Sequence, residues 1–165
     1  MANIWQPKYE GMDHINIYSK SKLPIGRALS NFFLSKFTMP DYGTFNSVEA
    51  FYYWLLSGKK FDDIRELHGY KAKQYGLNLP KKVKIDKKFK IEIQKAITYK
   101  ILQHSYIQDL LIESTLPFAH YYYYGDAMFT PKIYDMSKEH SYMIEAIEQI
   151  RVDLKKNGKV TSTHL

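Results

Sequence analysis

The sequence predicts an α+β domain, mainly helical with a few short strands, and three observations carry that reading. Apolar residues recur at three- and four-residue spacing over two long segments: Phe89, Ile93, Ala96, Ile97 and Ile101, then Met143, Ile147, Ile150 and Leu154. Strand-like alternation or composition is confined to short stretches, residues 14–18 and 117–125. The 165 residues contain no Pro/Gly/Ser-rich linker, which fits one domain over residues 1–165 with a sizeable core.

Taken in order, residues 14–18 read as a first strand and the polar residues 19–22 as a loop. Residues 36–39 follow as a second strand, and Pro40-Asp-Tyr-Gly43 has turn chemistry. A helix comes next, with Asn46 or Ser47 as N-cap, Glu49 in its first turn and Ser57-Gly58 as its stop. Residues 50–56 offer no polar face, so this helix is expected to be buried on nearly all sides. Asp62 or Asp63 then caps a helix running through Ile64, Leu67 and Ala72 to Gly76, placing Lys71 and Lys73 in its last turn, where they complement the helix dipole.

Beyond the turn at Pro80 the spacing predicts a helix over 86–103, with lysines on its outer side. His104-Ser105 interrupts it, and Ile107, Leu110 and Leu111 mark a short further helix. Residues 117–125 read as a strand stopped at Gly125-Asp126, in which Tyr121 and Tyr123 face opposite to Tyr122 and Tyr124. A last helix is expected over 137–156, and residues 157–165 as a frayed tail.

Composition narrows the chemistry. The absence of cysteine removes disulfides, thiol nucleophiles and cysteine-based zinc sites together. None of the six histidines stands four residues from another, so no metal is expected, and no cofactor motif is present. No segment is apolar enough to span a membrane and no leader pattern opens the chain, so a cytoplasmic location is expected. The formal charge of +7 is concentrated in Lys81, Lys82, Lys84, Lys87, Lys88 and Lys90. That spacing matches no nucleic-acid motif and reads as a solvated face that at most steers an anion.

Glu49 is the one residue set apart by its surroundings, a lone carboxylate at the head of an apolar run. Read from the residues alone, it is either a first-turn capping feature or a general acid or base. Burial raises a carboxyl pKa and a helix N-terminus lowers it, leaving the sign open.

Four pieces in this order resemble the NADAR domain family, the YbiA-like proteins named for a link to NAD and ADP-ribose. They are Ala28-Leu-Ser-Asn-Phe-Phe33, Asn46-Ser-Val-Glu-Ala-Phe-Tyr-Tyr53, Lys71-Ala-Lys-Gln-Tyr-Gly76 and Tyr123-Tyr-Gly-Asp126. Ala96, Lys100, Ile101 and Gln103 resemble a further family piece, and the whole spans about residues 13–156. The chain departs from the family pattern at Ala50, Leu56, Ile85 and Tyr124, where members carry histidine, lysine, tryptophan and tryptophan respectively.

The resemblance implies a single YbiA-like domain with N-glycosidase chemistry, cleaving the C1–N bond of a phosphoribosyl compound of the riboflavin-intermediate kind or of an ADP-ribosylated nucleobase. It implies Glu49 as the catalytic carboxylate and Lys73 as a phosphate-binding or Schiff-base lysine. Arg27, Ser30, Asn31, Phe32, Tyr52, Tyr124 and Asp126 are then the expected substrate-binding residues, Arg27 as a bidentate fork for phosphate. A module that sequesters an ADP-ribose-like ligand without turnover is the alternative. Oligomeric state is left open.

Overall fold

The structure, a computed structural model, describes residues 5–161. Its six helices are α1 (Pro24–Leu29), α2 (Val48–Leu56), α3 (Gly69–Leu77), α4 (Lys87–Leu102), α5 (Ser105–Glu113) and α6 (Ser141–Asn157). Three two-stranded sheets accompany them: β1 (Ile15–Asn16) pairs in parallel with β4 (Phe118–Ala119), while β2 (Phe37–Met39) with β3 (Gly43–Phe45) and β5 (Tyr121–Tyr124) with β6 (Lys132–Asp135) are antiparallel. The domain is α+β and mainly helical.

The fold is built around α2. Val48, Ala50, Phe51, Trp54, Leu55 and Leu56 are all buried, as a helix without a polar face requires. It packs against α3, α4 and the 3-10 turn Asp62–Glu66, and α4 in turn packs against α6 through the periodic residues of both. Asp86 caps α4 by accepting from Phe89 N (3.0 Å), and the helix ends at Gln103 as its apolar period dictates.

Several boundaries differ from the sequence reading, beginning with the first strand, which narrows from residues 14–18 to Ile15–Asn16. The helix expected from Asp62 to Gly76 is two elements, because the chain is extended at Leu67 and His68 and turns at Gly69, whose φ of +60° is costly for any other residue. Lys71 and Lys73 therefore lie in the first half of α3, where complementarity to a C-terminal dipole does not apply. The strand expected over 117–125 breaks at His120, so that β4 joins β1 and β5 forms a separate hairpin with β6.

The last helix starts four residues late. Ser137 is held in a turn, its N–H donating to Asp135 Oδ1 and its hydroxyl accepting from His120 N. The tail is not wholly frayed either. Val160 donates to Gln108 Oε1 (2.8 Å) and accepts from Gln108 Nε2 (3.1 Å), while Lys159 pairs with Asp109 (2.8 Å). Residues 162–165 lie outside the described region.

No helix among the described residues is long and apolar enough to cross a membrane. Nor do three or more His, Asp or Glu side chains there converge as a metal site.

Candidate active site

Ser47 settles what Glu49 is not. The Ser47 hydroxyl accepts from Ala50 N (3.1 Å) and donates to Leu67 O (2.9 Å), so the capping of α2 belongs to Ser47, while Asn46 is spent on Glu66 O. The Glu49 carboxylate accepts no hydrogen bond among the described residues. It projects instead into a cavity of about 720 Å³, the size of a small-molecule site.

Two neighbours fix where Glu49 and Lys73 stand. Gly76 lets α3 lie directly on α2, since a Cβ there would fall 2.1 Å from the Tyr53 ring. That close approach carries Lys73, one turn earlier on α3, to the rim of the same cavity. The second fixture is the segment after α1. Ser30 O accepts from Lys100 Nζ (2.8 Å), Asn31 O from Glu49 N (3.0 Å), and Phe32 O from Gly69 N (3.0 Å). Three consecutive carbonyls thus tie α4, α2 and α3 to one strip of chain.

The electrostatics follow from this enclosure. Burial raises the Glu49 carboxyl to about 7, with the Lys73 ammonium pulling the other way. At neutral pH the group is therefore divided between acid and carboxylate. Burial also raises the hydroxyls of Tyr52, Tyr53, Tyr122 and Tyr142, and the nearby Glu49 charge adds to each. These rings surround Glu49 as neutral phenols.

Two histidines also line the cavity. His120 Nδ1 is 2.6 Å from Ile17 O, its ring is stacked on His140 (5.1 Å, 27°) and lies edge-on to Tyr122 (5.3 Å, 79°). Burial lowers His120 to about 4 and also lowers His140, so both are neutral imidazoles.

Seven of the nine sequence-predicted site residues line this cavity: Ser30, Asn31, Phe32, Glu49, Tyr52, Lys73 and Tyr124. Two do not. Arg27 donates through Nη1 to Ser21 O (2.7 Å), which closes the 19–22 loop instead of offering a fork to phosphate. Asp126 sits in the β5–β6 turn, where its carboxylate accepts from Met128 N (2.9 Å). Lys20, on the loop that Arg27 holds, lines the cavity.

Of the four departures from the family pattern, only Tyr124 is part of the cavity wall. Ala50 and Leu56 are buried in the core and Ile85 is exposed before α4, so those three changes leave the lining intact.

His120, Tyr122 and His140 are not among the site residues expected from the sequence. The signal for two of them was available: His120, Tyr122 and Tyr124 alternate, and despite the break at His120 all three reach one wall. His140 carried no such signal, since it precedes α6 and is brought to the wall only by tertiary packing. No protein-family model, curated protein or solved structure matches this chain.

Proposed function

We propose that this cavity is the active site of an N-glycosidase that hydrolyses the C1–N bond of a ribosyl phosphate or an ADP-ribosyl compound. The observation that carries the reading is Glu49, a carboxyl raised to about 7 that serves no capping role and shares a tyrosine-lined cavity with Lys73, whose charge bears on it. A group poised near neutral pH is suited to proton transfer.

Cleavage of a C1–N bond passes through an oxocarbenium-like state, and the departing nitrogen needs a proton. Glu49 in its acid form donates that proton, and the carboxylate it becomes opposes the positive charge growing at C1. Lys73 and Lys20 supply point charges for phosphate oxygens. Tyr52, Tyr122 and Tyr124 offer ring faces for the ribose or base.

The test is incubation of the protein with a phosphoribosylaminopyrimidine and, separately, with an ADP-ribosylated guanine oligonucleotide, with the released amine or repaired base measured by mass spectrometry. Release that depends on Glu49 supports the reading. A melting shift with ribose 5-phosphate or ADP-ribose, without release from either compound, supports a sequestering module instead.

A further inference from the structure

Glu49 can protonate a leaving nitrogen, but hydrolysis also needs a group that takes a proton from water, and the lining of the site holds one. His120 Nδ1 faces a backbone carbonyl, which can only accept, so Nδ1 carries the hydrogen and Nε2 carries the lone pair. The tautomer is set by the fold. The backbone of His120 is fixed as firmly: its N–H donates to Ser137 Oγ (2.9 Å) and its carbonyl accepts from Met136 N (2.8 Å). Nε2 has no hydrogen-bond partner among the described residues, yet it is not sealed from solvent, in contrast to His140 Nδ1 behind it. An accessible acceptor in a rigid cavity wall is what an attacking water requires.

We propose that His120 is the general base of this site, its Nε2 taking a proton from the water that attacks C1 while Glu49 gives its proton to the departing nitrogen. The inference rests on the N-glycosidase reading above. The water oxygen bonds to C1 and the C1–N electron pair leaves with the nitrogen. One proton passes from water to His120 and one from Glu49 to the nitrogen, so the free sugar and the free amine account for every atom. Proton return from the imidazolium to the Glu49 carboxylate, through solvent in the open cavity, resets both groups.

Two features of the surroundings support the division of labour. Tyr122 is the shared neighbour of both groups, edge-on to His120 and within the field of Glu49, and all three line the same cavity. The groups that bear on the imidazole are the Ile17 carbonyl, which favours its charge through the hydrogen bond, His140 from the start of α6, which disfavours it, and Asp135 from β6, which favours it. Burial outweighs the groups that favour the charge and keeps the base neutral when Glu49 is still partly an acid.

The experiment uses the phosphoribosylaminopyrimidine probe with the wild type, Glu49→Gln, His120→Ala and His120→Gln, each first checked for a cooperative melt. Loss of the base is expected to slow release at least about 100-fold in both His120 variants. Sodium azide, which attacks without giving up a proton, is expected to restore release to His120→Ala and to appear in the product as a ribosyl azide phosphate. His120→Gln reads the same loss if the alanine variant does not fold. Wild-type release rates in a folded His120 variant, or a loss that azide leaves unchanged with no azide adduct, would overturn the assignment of the base. If Glu49→Gln is inactive while the His120 variants are normal, the N-glycosidase reading stands and this inference alone fails. If the wild type releases no amine, both fall.

Discussion

Replacing Glu49 by Gln separates chemistry from stability in one protein. The Glu49 carboxyl, ordinarily near 4.5, is raised to about 7 in the fold. Between those two values the folded chain holds a proton that the unfolded chain has lost, so stability falls as pH rises through that window and the full penalty is present above about 7. The gap of about two and a half units, at roughly 1.36 kcal/mol per unit, corresponds to about 3 kcal/mol, and the partial exposure of the side chain brings the expectation to about 2–3 kcal/mol.

Glutamine occupies the same space without the charge. At pH 8 Glu49→Gln is therefore expected to melt roughly 4–12 °C above the wild type, and at pH 4 the difference should vanish because both carboxyl states are protonated. Base release by the same variant should drop at least about 100-fold. The assay is a pair of melting curves at pH 4 and pH 8 beside the release assay. A capping carboxylate would give the opposite sign, a loss of about 0.3–1 kcal/mol on removal, at pH 8. A Glu49→Gln protein that is less stable at pH 8 and still active would refute the reasoning.

Other substitutions probe the frame around Glu49. Lys73→Ala should raise KM for a 5′-phosphorylated substrate at least about tenfold with a smaller effect on kcat, as loss of a charged hydrogen bond does; unchanged KM, lost kcat and a borohydride-trapped adduct in the wild type would instead make Lys73 a Schiff-base lysine. Gly76→Ala puts a methyl 2.1 Å from the Tyr53 ring and should cost about 1–3 kcal/mol in chemical denaturation, together with reduced turnover as α3 moves Lys73 outward; unaltered stability would show that the α2–α3 contact yields easily. Lys100 is buried, and burial lowers its ammonium from 10.5 to about 7. The unfolded chain thus holds the extra proton between those values, and wild-type stability should rise across that range by up to about 1.4 kcal/mol per pH unit relative to Lys100→Met, a difference readable from melting at pH 7 and pH 9.5.

How much of this was legible in the sequence depended on how local each cause is. The extents of α2 and α4 are set by caps and apolar period within a few residues, and Ser47, Ser57, Asp86 and Gln103 mark their ends. The break at Leu67–His68 was not readable, because Gly69 is held by Phe32, 37 residues earlier, and only the tertiary bond makes the turn necessary. The same distinction divides the site. Glu49 stands out by its neighbours in sequence, whereas Arg27 has the chemistry of a phosphate ligand and is withdrawn from the cavity by a carbonyl at Ser21 that no motif announces. His140 shows the converse, an ordinary histidine before a helix that packing turns into part of the cavity wall.

The segment from Ser30 to Phe32 explains why an uncompensated lysine survives in the core. Among the described residues no carboxylate pairs with Lys100, and its ammonium is held by Ser30 O with the Phe33 ring 5.7 Å away. A buried charge with so little to offset it lowers stability, and an apolar side chain of similar length would serve packing better. What an apolar residue cannot do is tie the Ser30 carbonyl, which also accepts from Phe33 N (3.1 Å), to α4. That carbonyl is the first of three consecutive ones, and the next two take the N–H groups of Glu49 and Gly69, the residues that start the useful parts of α2 and α3. An apolar residue at 100 would leave this strip tied to α2 and α3 but not to α4, and the strip supplies the cavity wall beside Glu49. On the proposed reading, the buried lysine is a structural cost tied to the geometry of the site, in the way strained or destabilised groups collect around sites that must keep reacting groups at fixed separation. On this account the Ser-Asn-Phe piece acts as much through its backbone as through the side chains that line the cavity.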